Sequence, residues 1–290
     1  MTAPYGRMPD AGQQHWPGAF PLRPLAAGEV MSAGLSVVRK HYWTLGPLAF
    51  VLSLASGLAQ WGVLAADGSV ASYSDWLASV LEGGQSTIPG AIIVSTAVSL
   101  LISVCSVMLL IGLTTVFAGQ DAIGRPTTGA DLRHRLAGRW PVLLLATVAV
   151  GAAMMIGLTL LVVPGVLVYL GWAFATPVVV MERADLSTAL RRSVLLTTGN
   201  RGRLLGLSLL ALLAGNLASA LLSTVVASAF GTLNADTAMI VSAVVAAVVA
   251  SFATTWQAAM VAVLYIDARI RRERLGEALW TAAHIPPPAP

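Results

Sequence analysis

The sequence predicts an all-α integral membrane protein with six transmembrane helices, amphipathic interfacial helices on the cytoplasmic face and both termini in the cytoplasm. Three observations lead to this prediction. Of the 290 residues, 57% are hydrophobic and only 10% are charged, whereas a soluble domain carries about 25% charged residues. The apolar residues fall in a few long runs, and the basic residues lie between alternate runs. The composition therefore excludes a soluble globular protein.

A membrane-spanning helix needs about 20 mainly apolar residues, because the hydrocarbon core of a bilayer is about 30 Å thick. Six segments are predicted as spans: Trp43–Ala66, Ile88–Ala118, Trp140–Val163, a shorter segment that ends at Met181, Leu204–Phe230 and Ala238–Ile266. Pro164 and Gly165 interrupt the apolar run between the third and fourth spans. Because Pro-Gly breaks a helix, we expect a tight helical hairpin there.

The basic residues indicate the orientation of these spans. All 17 Lys and Arg residues lie before the first span, between the second and third, between the fourth and fifth, or after the sixth. The three loops on the other side contain none. Because Lys and Arg accumulate in cytoplasmic loops, both termini are expected in the cytoplasm. The chain is predicted to lie in a bacterial plasma membrane.

Three basic segments also carry apolar side chains at helical spacing, which is typical of helices that lie in the membrane interface. They are residues 24–42, the residues from Asp131 to Trp140, and the residues after Glu182. The apolar stripe of the third segment is predicted as Leu186, Leu190 and Val194. Asp185 is its predicted N-cap and Gly199 its predicted end. An interfacial helix followed by two spans would then occur three times, as a weak internal repeat.

The chain is expected to hold one folded domain between two tails. Residues 1–22 are rich in Pro, Gly and Gln and are predicted to be disordered. Residues 23–281 are predicted to form a single six-helix transmembrane domain. Residues 282–290 form a Pro-rich C-terminal tail.

The sequence contains no pattern that predicts catalysis. Ionisable residues inside a bilayer are functional candidates, but all of those in this chain lie in loops or at span ends. The four histidines and the single cysteine have no partner at metal-ligand spacing, and no nucleotide-binding loop is present. We therefore expect no enzymatic activity, no catalytic residue, no metal and no cofactor.

Two uncharged polar residues inside the spans are candidate intramembrane contacts, namely Asn216 in span five and Gln257 in span six. They could line a polar path in a translocator of lipid or of a small apolar solute. The favoured alternative is hydrogen bonding between helices. Small residues recur along one side of each of these spans. Spans five and six are therefore predicted to pack together.

Several motifs resemble a known family. They are Arg23-Pro24-Leu25 with Gly28-Glu29-Val30, Val163-Pro164-Gly165 with Trp172 and Pro177, the stretch from Ala189 to Gly199, and Tyr265 and Asp267 followed by Arg269–Glu273. These residues resemble actinobacterial membrane proteins grouped with the membrane domain of glycerophosphoryl diester phosphodiesterases. The chain departs from the pattern at Ser32, where an acid is expected, and at Arg274, where Gly is expected. The resemblance implies a six-span membrane module without the catalytic barrel of the phosphodiesterases.

The predicted function is that of a non-enzymatic membrane module. Four arginines are candidate contacts to anionic lipid headgroups or to a membrane-protein partner: Arg39, Arg191, Arg192 and Arg203. A basic group near an anionic membrane surface contributes about 1 kcal/mol to binding. The basic residues lie beside the predicted spans, so membrane lipids are the expected partners and nucleic acid is not.

Overall fold

The structure is a computed structural model that describes residues 18, 20, 21, 23–68, 76, 78–80, 90–127, 129–229, 234–273 and 275. Regular secondary structure in these residues is entirely α-helical. Most of the predicted N-terminal tail, 1–22, and all of the predicted C-terminal tail, 282–290, lie outside the described residues.

Nine α-helices are bounded within the described residues. They are α1 (Ala27–Ala66), α2 (Gly90–Ala122), α3 (Gly129–Leu136), α4 (Trp140–Leu160), α5 (Val162–Trp172), α6 (Ala175–Glu182), α7 (Leu186–Thr197), α8 (Arg201–Ala229) and α9 (Ala235–Glu273). Six helical segments of this part of the chain are long and apolar enough to cross a membrane, with α5 and α6 together forming the fourth. The predicted class, an all-α multi-span membrane protein, is confirmed.

Helices α2 and α9 form the centre of the bundle. Helix α9 packs against α1, α8 and α2, while α2 also packs against α4 and α6. The buried apolar core follows residues 104–118 of α2 and residues 258–268 of α9. Large apolar side chains elsewhere are exposed, among them Leu213, Leu217 and Leu221 along α8. An apolar outer surface of this kind is what a helix presents to lipid.

The first basic segment differs from its prediction as a separate interfacial helix. Residues 27–42 continue without a break into the first span, because α1 is one helix of 40 residues. At 1.5 Å per residue it is about 60 Å long, roughly twice the thickness of the hydrocarbon core. Only the second and third basic segments form short separate helices, α3 and α7. The three units of the suggested repeat therefore differ in structure.

The predicted hairpin between the third and fourth spans is present, but its break lies at Leu161 and not at Pro164. Leu161 adopts an extended conformation, with φ −167° and ψ 150°. Pro164 lies in the first turn of α5, where a missing N–H costs no helical hydrogen bond. Gly165 instead permits close packing, since a Cβ added to Gly157 would lie 2.7 Å from the Cα of Gly165.

The fourth span is itself broken between α5 and α6, at Ala173 and Phe174. Ser193 of α7 satisfies backbone groups at this break. Its hydroxyl accepts a hydrogen bond from the Phe174 N–H at 3.1 Å and donates one to the Gly171 carbonyl at 2.8 Å. Helix α7 thus packs against the broken span through polar groups.

The buried side of α7 is shifted from the predicted stripe of Leu186, Leu190 and Val194. Those three side chains are half-buried. The fully buried positions are Ala189, Ser193, Leu196 and Thr197. Both predicted ends of the helix are confirmed. Asp185 accepts hydrogen bonds from the N–H groups of Ser187 and Thr188, and Gly199 adopts φ 84° just after the helix.

Spans five and six pack together as predicted, as helices α8 and α9. A Cβ added to Gly215 of α8 would lie 2.8 Å from the Cβ of Ala253 of α9. The small residues of α9 also allow contact with α1. A Cβ added to Gly57 of α1 would lie 3.1 Å from the Cβ of Ala243 of α9. Small side chains therefore let α9 approach two neighbouring helices closely.

Candidate functional site on the basic face

Basic segments that are far apart in the sequence meet at one end of the helix bundle, called here the basic face. It consists of the N-terminal ends of α1 and α8, the C-terminal ends of α2, α6 and α9, and helices α3 and α7. Ion pairs and one backbone-to-carboxylate hydrogen bond connect several of these elements across more than 60 residues of sequence. Three buried or half-buried carboxylates organise the face: Asp267, Glu182 and Asp121.

Asp267 joins three helices. Its side chain is fully buried, and Oδ1 accepts a hydrogen bond from the Leu25 backbone N–H at 2.8 Å. Oδ2 accepts hydrogen bonds from Arg203 Nη1 and from Arg271 Nε, each at 2.9 Å. Arg271 Nη2 also donates to the Leu25 carbonyl at 2.8 Å. One carboxylate therefore holds the start of α1, the start of α8 and the end of α9.

Glu182 organises a second cluster at the end of α6. Its Oε1 accepts a hydrogen bond from the Tyr265 hydroxyl at 2.8 Å, and its Oε2 pairs with Arg192 Nε. Arg192 Nη2 reaches Glu273 Oε1 at 2.6 Å. Glu273 Oε2 in turn accepts from Arg269 Nε at 2.8 Å. This cluster connects α6, α7 and α9.

Asp121 forms the third cluster at the end of α2. Its carboxylate is fully buried and bonds the Lys40 ammonium through Oδ1 and His41 Nε2, at 2.8 Å, through Oδ2. The His41 ring also contacts the ring of Phe117, with 4.7 Å between centroids. Sequence reasoning placed this acid at a span end and assigned it no role. Its partners, Lys40 and His41, directly follow Arg39 in the sequence. This run of basic residues is the only sequence signal for the pairing.

The four predicted headgroup or partner contacts do not form one cluster. Arg192 and Arg203 take part in the ion pairs with Glu182 and Asp267. Arg39 and Arg191 are exposed, and neither forms a hydrogen bond or ion pair with another described residue. The second pair is therefore free to contact a ligand through its guanidinium groups.

The Arg203 guanidinium has Asp267 as its hydrogen-bond partner among the described residues. Its Nε and Nη2 atoms are buried and have no hydrogen-bond acceptor among the described residues. Only Nη1 is paired, with Asp267. Burial of unpaired N–H groups on a charged side chain is unfavourable, and the ion pair with Asp267 offsets part of this cost.

The two intramembrane candidates are not brought together. Asn216 lies on the exposed side of α8, and its Nδ2 donates to the Leu212 carbonyl of its own helix at 2.8 Å. Gln257 is half-buried and interacts with the Tyr169 hydroxyl, which also lies 2.7 Å from Ser208 Oγ. Gln257 therefore takes part in contacts between α9, α5 and α8, while Asn216 bonds within one helix.

A cleft of about 290 Å³ opens between α2, α3 and the end of α6. Its lining residues are Gln120, His134, Arg135, Val180, Met181 and Arg183. The sequence analysis found no partner for His134 at metal-ligand spacing and named neither arginine as a site residue. The signal available in the sequence was a basic residue in the last turn of one helix and another directly after the end of a second helix.

Comparison with known proteins adds no relative. No family model, no curated protein and no solved structure matches this chain. Within the described residues, no group of three or more His, Cys, Asp and Glu side chains is placed to hold a metal ion. Any assignment of function therefore depends on the geometry and charge of the basic face.

Proposed function

We propose that the chain is a non-enzymatic module of the bacterial plasma membrane that binds anionic lipid headgroups at the basic face, with this face and both termini in the cytoplasm. The observation that carries the proposal is the unequal pairing of charge on this face. Asp121, Asp267 and Glu182 are all engaged by basic partners. Arg39 and Arg191 remain exposed, with no carboxylate partner among the described residues.

The position of Arg39 supports lipid contact. Trp43 lies one helical turn further along α1, and its side chain is 86% exposed. Residues four apart share one face of a helix. Because tryptophan concentrates where a membrane meets water, an indole at this level supports a position of the Arg39 guanidinium among the lipid phosphates. The apolar surface of α1 beyond Trp43 then faces the acyl chains.

The family resemblance is consistent with this proposal. The residues that carry it include Arg23, Leu25, Ser193, Asp267 and Glu273, and each of them makes a contact on the basic face. We propose that this chain is a six-span membrane module of that kind. The module would then act without the separate catalytic barrel.

A translocator is the less favoured function. Such a protein needs polar groups that line a shared path across the bilayer. Asn216 instead lies on the outer side of α8, and its amide is satisfied by its own helix. Gln257 interacts with Tyr169 in a contact between helices.

The proposal is tested by measuring lipid binding to the purified full-length protein in detergent by native mass spectrometry. We expect phosphatidylglycerol to bind more tightly than phosphatidylcholine. Arg39→Gln and Arg191→Gln should each weaken phosphatidylglycerol binding about fivefold, since one basic group contributes about 1 kcal/mol. Arg23→Gln is the matched control, because this arginine is already paired with Glu29 at 2.6 Å.

Equal affinity for the two lipids, or unchanged binding in both arginine variants, would overturn the proposal. Extraction from the native membrane in lipid-preserving polymer discs provides a second measurement. A stoichiometric co-purifying protein, lost with Arg191→Gln while lipid binding persists, would favour a partner-binding module instead.

A further inference from the structure

The cleft lined by Arg135 and Arg183 is basic, and none of its lining residues in the described part of the chain is acidic. Arg135 lies in α3, and Arg183 is the C-cap of α6. Neither side chain forms a hydrogen bond or ion pair with another described residue, and the lining also includes the amide of Gln120 and the ring of His134. The side chains of Val180 and Met181 complete the lining. Hydrogen-bond donors thus border a small cleft with an apolar portion.

The acidic residues nearest in sequence to this lining are already engaged. Asp121 follows Gln120 directly, and both of its oxygens bond Lys40 and His41. Glu182 precedes Arg183, and its oxygens bond Arg192 and Tyr265. These two carboxylates therefore form no ion pair with the cleft arginines.

The backbone of Arg183 is also unusual. It adopts the left-handed conformation, with φ 54° and ψ 31°, and it is the only non-glycine residue with positive φ among those described. Glycine is the usual residue at this position after a helix, because a side chain is strained there. An arginine held in a strained conformation beside a cleft indicates a role for its side chain.

We propose that this cleft binds a phosphate group, either on a phospholipid headgroup or free in solution. Arginine matches the oxygens of phosphate with parallel N–H donors, and two arginines border the cleft. Its volume of about 290 Å³ lies at the lower end of the range for small-ligand sites, which suits one phosphate-bearing group. The site involves residues other than Arg39 and Arg191, so it stands apart from the lipid binding proposed above.

A purely structural role for the same residues makes a different prediction. Arg135 lies in the last turn of α3 and Arg183 caps α6, and basic side chains stabilise the negative end of a helix dipole. In that case, removal of either side chain would change stability and no ligand would be involved. Arg183→Gly separates the two roles, because glycine relieves the left-handed strain while it removes the guanidinium.

The experiment uses the purified full-length protein in a nonionic detergent and phosphate-free buffer. Inorganic phosphate is titrated by calorimetry, and phosphatidate is compared with phosphatidylcholine by native mass spectrometry. We expect Arg135→Gln and Arg183→Gly each to weaken binding about tenfold or more, since hydrogen bonds to charged groups are removed. Arg183→Gly should retain or raise the melting temperature. Arg133→Gln, on the same helix as Arg135 but outside the cleft lining, should bind normally.

The two probes identify the source of the phosphate. Binding of inorganic phosphate that depends on Arg135 and Arg183 assigns a soluble phosphate, while dependence seen with phosphatidate alone assigns a lipid headgroup. The proposal is overturned if neither probe binds, or if Arg135→Gln and Arg183→Gly bind like the unaltered protein. It is also overturned if Arg133→Gln weakens binding equally, because that result would indicate general surface attraction.

Discussion

The backbone N–H of Leu25 donates a hydrogen bond to Asp267 Oδ1 at 2.8 Å, across 242 positions of sequence. This contact joins the residues that precede the first helix to the end of the last one. Arg271 closes the connection, because it bonds both the Asp267 carboxylate and the Leu25 carbonyl. The two ends of the transmembrane domain are therefore held together by one buried acid on the basic face.

We predict that Asp267→Asn destabilises the protein by about 3 kcal/mol, the usual cost of breaking a buried ion pair from one side. Asparagine retains an acceptor for Leu25 but removes the carboxylate that pairs with the largely buried Arg203 guanidinium. Thermal unfolding in detergent, followed by tryptophan fluorescence, measures the effect. Glu273→Gln is the control and should cost less, because the Glu273 side chain is 26% exposed.

A double variant identifies the cause of this loss. If the uncompensated charge of Arg203 is responsible, Asp267→Asn combined with Arg203→Met should be less destabilised than the sum of the two single variants. If the destabilisation of the double variant equals the sum of those of the two single variants, the two residues do not depend on each other.

The number of spans was predictable from the sequence, whereas the ion pairs were not. Each crossing of a bilayer needs its own run of apolar residues, so the six spans are visible locally. For a carboxylate at a span end, the sequence reveals the position but not the residues that pair with it. Whether Asp121 or Asp267 is solvated or buried depends on which distant segments pack against it, here α1 for Asp121 and the residues just before α1 for Asp267. For the same reason Arg192 and Arg203 could not be distinguished from Arg39 and Arg191.

The shifted stripe of α7 has a physical cause of the same kind. Hydrophobicity alone favours burial of Leu186 and Leu190 over that of a serine. The break in the fourth span, however, leaves the N–H of Phe174 and the carbonyl of Gly171 in need of partners. Burial of Ser193 satisfies both groups, and no local pattern in α7 reveals that requirement.

We predict that Ser193→Ala destabilises the junction of α5 and α6 by about 1–3 kcal/mol, because a buried N–H loses its acceptor. Hydrogen exchange measured by mass spectrometry should be faster over residues 171–176. The control is Ser36→Ala, since Ser36 Oγ donates only to the Ala33 carbonyl of its own helix at 2.8 Å. Equal exchange in the two variants would contradict the capping role of Ser193.

The stability of α7 should depend on pH through its N-cap. Hydrogen bonds from Ser187 and Thr188 hold the pKa of Asp185 below its ordinary value of 3.8. A lowered pKa means that the charged cap stabilises the helix above about pH 4. This contribution is lost as the pH falls through the lowered value.

Hydrogen exchange over residues 186–190, corrected for intrinsic rates, measures this pH dependence. Protection should be constant from about pH 7 to pH 5 and should decrease in more acidic solution. Asp185→Asn retains a capping oxygen and should remove the dependence on pH. The same acid-induced loss in Asp185→Asn would refute the assignment.

The hairpin between α4 and α5 provides a test in which two similar substitutions have opposite effects. A Cβ at residue 157 would lie 2.7 Å from the Cα and N of Gly165, which are backbone atoms that cannot rotate away. Gly157→Ala should therefore separate the two helices and lower the melting temperature. Gly206→Ala, within α8, adds a methyl group where no atom lies within 4 Å. Since alanine favours a helix over glycine by about 0.5–1 kcal/mol, this control should retain or raise the melting temperature. A decrease of similar size in both variants would show that close contact with Gly165 is not what requires glycine at position 157.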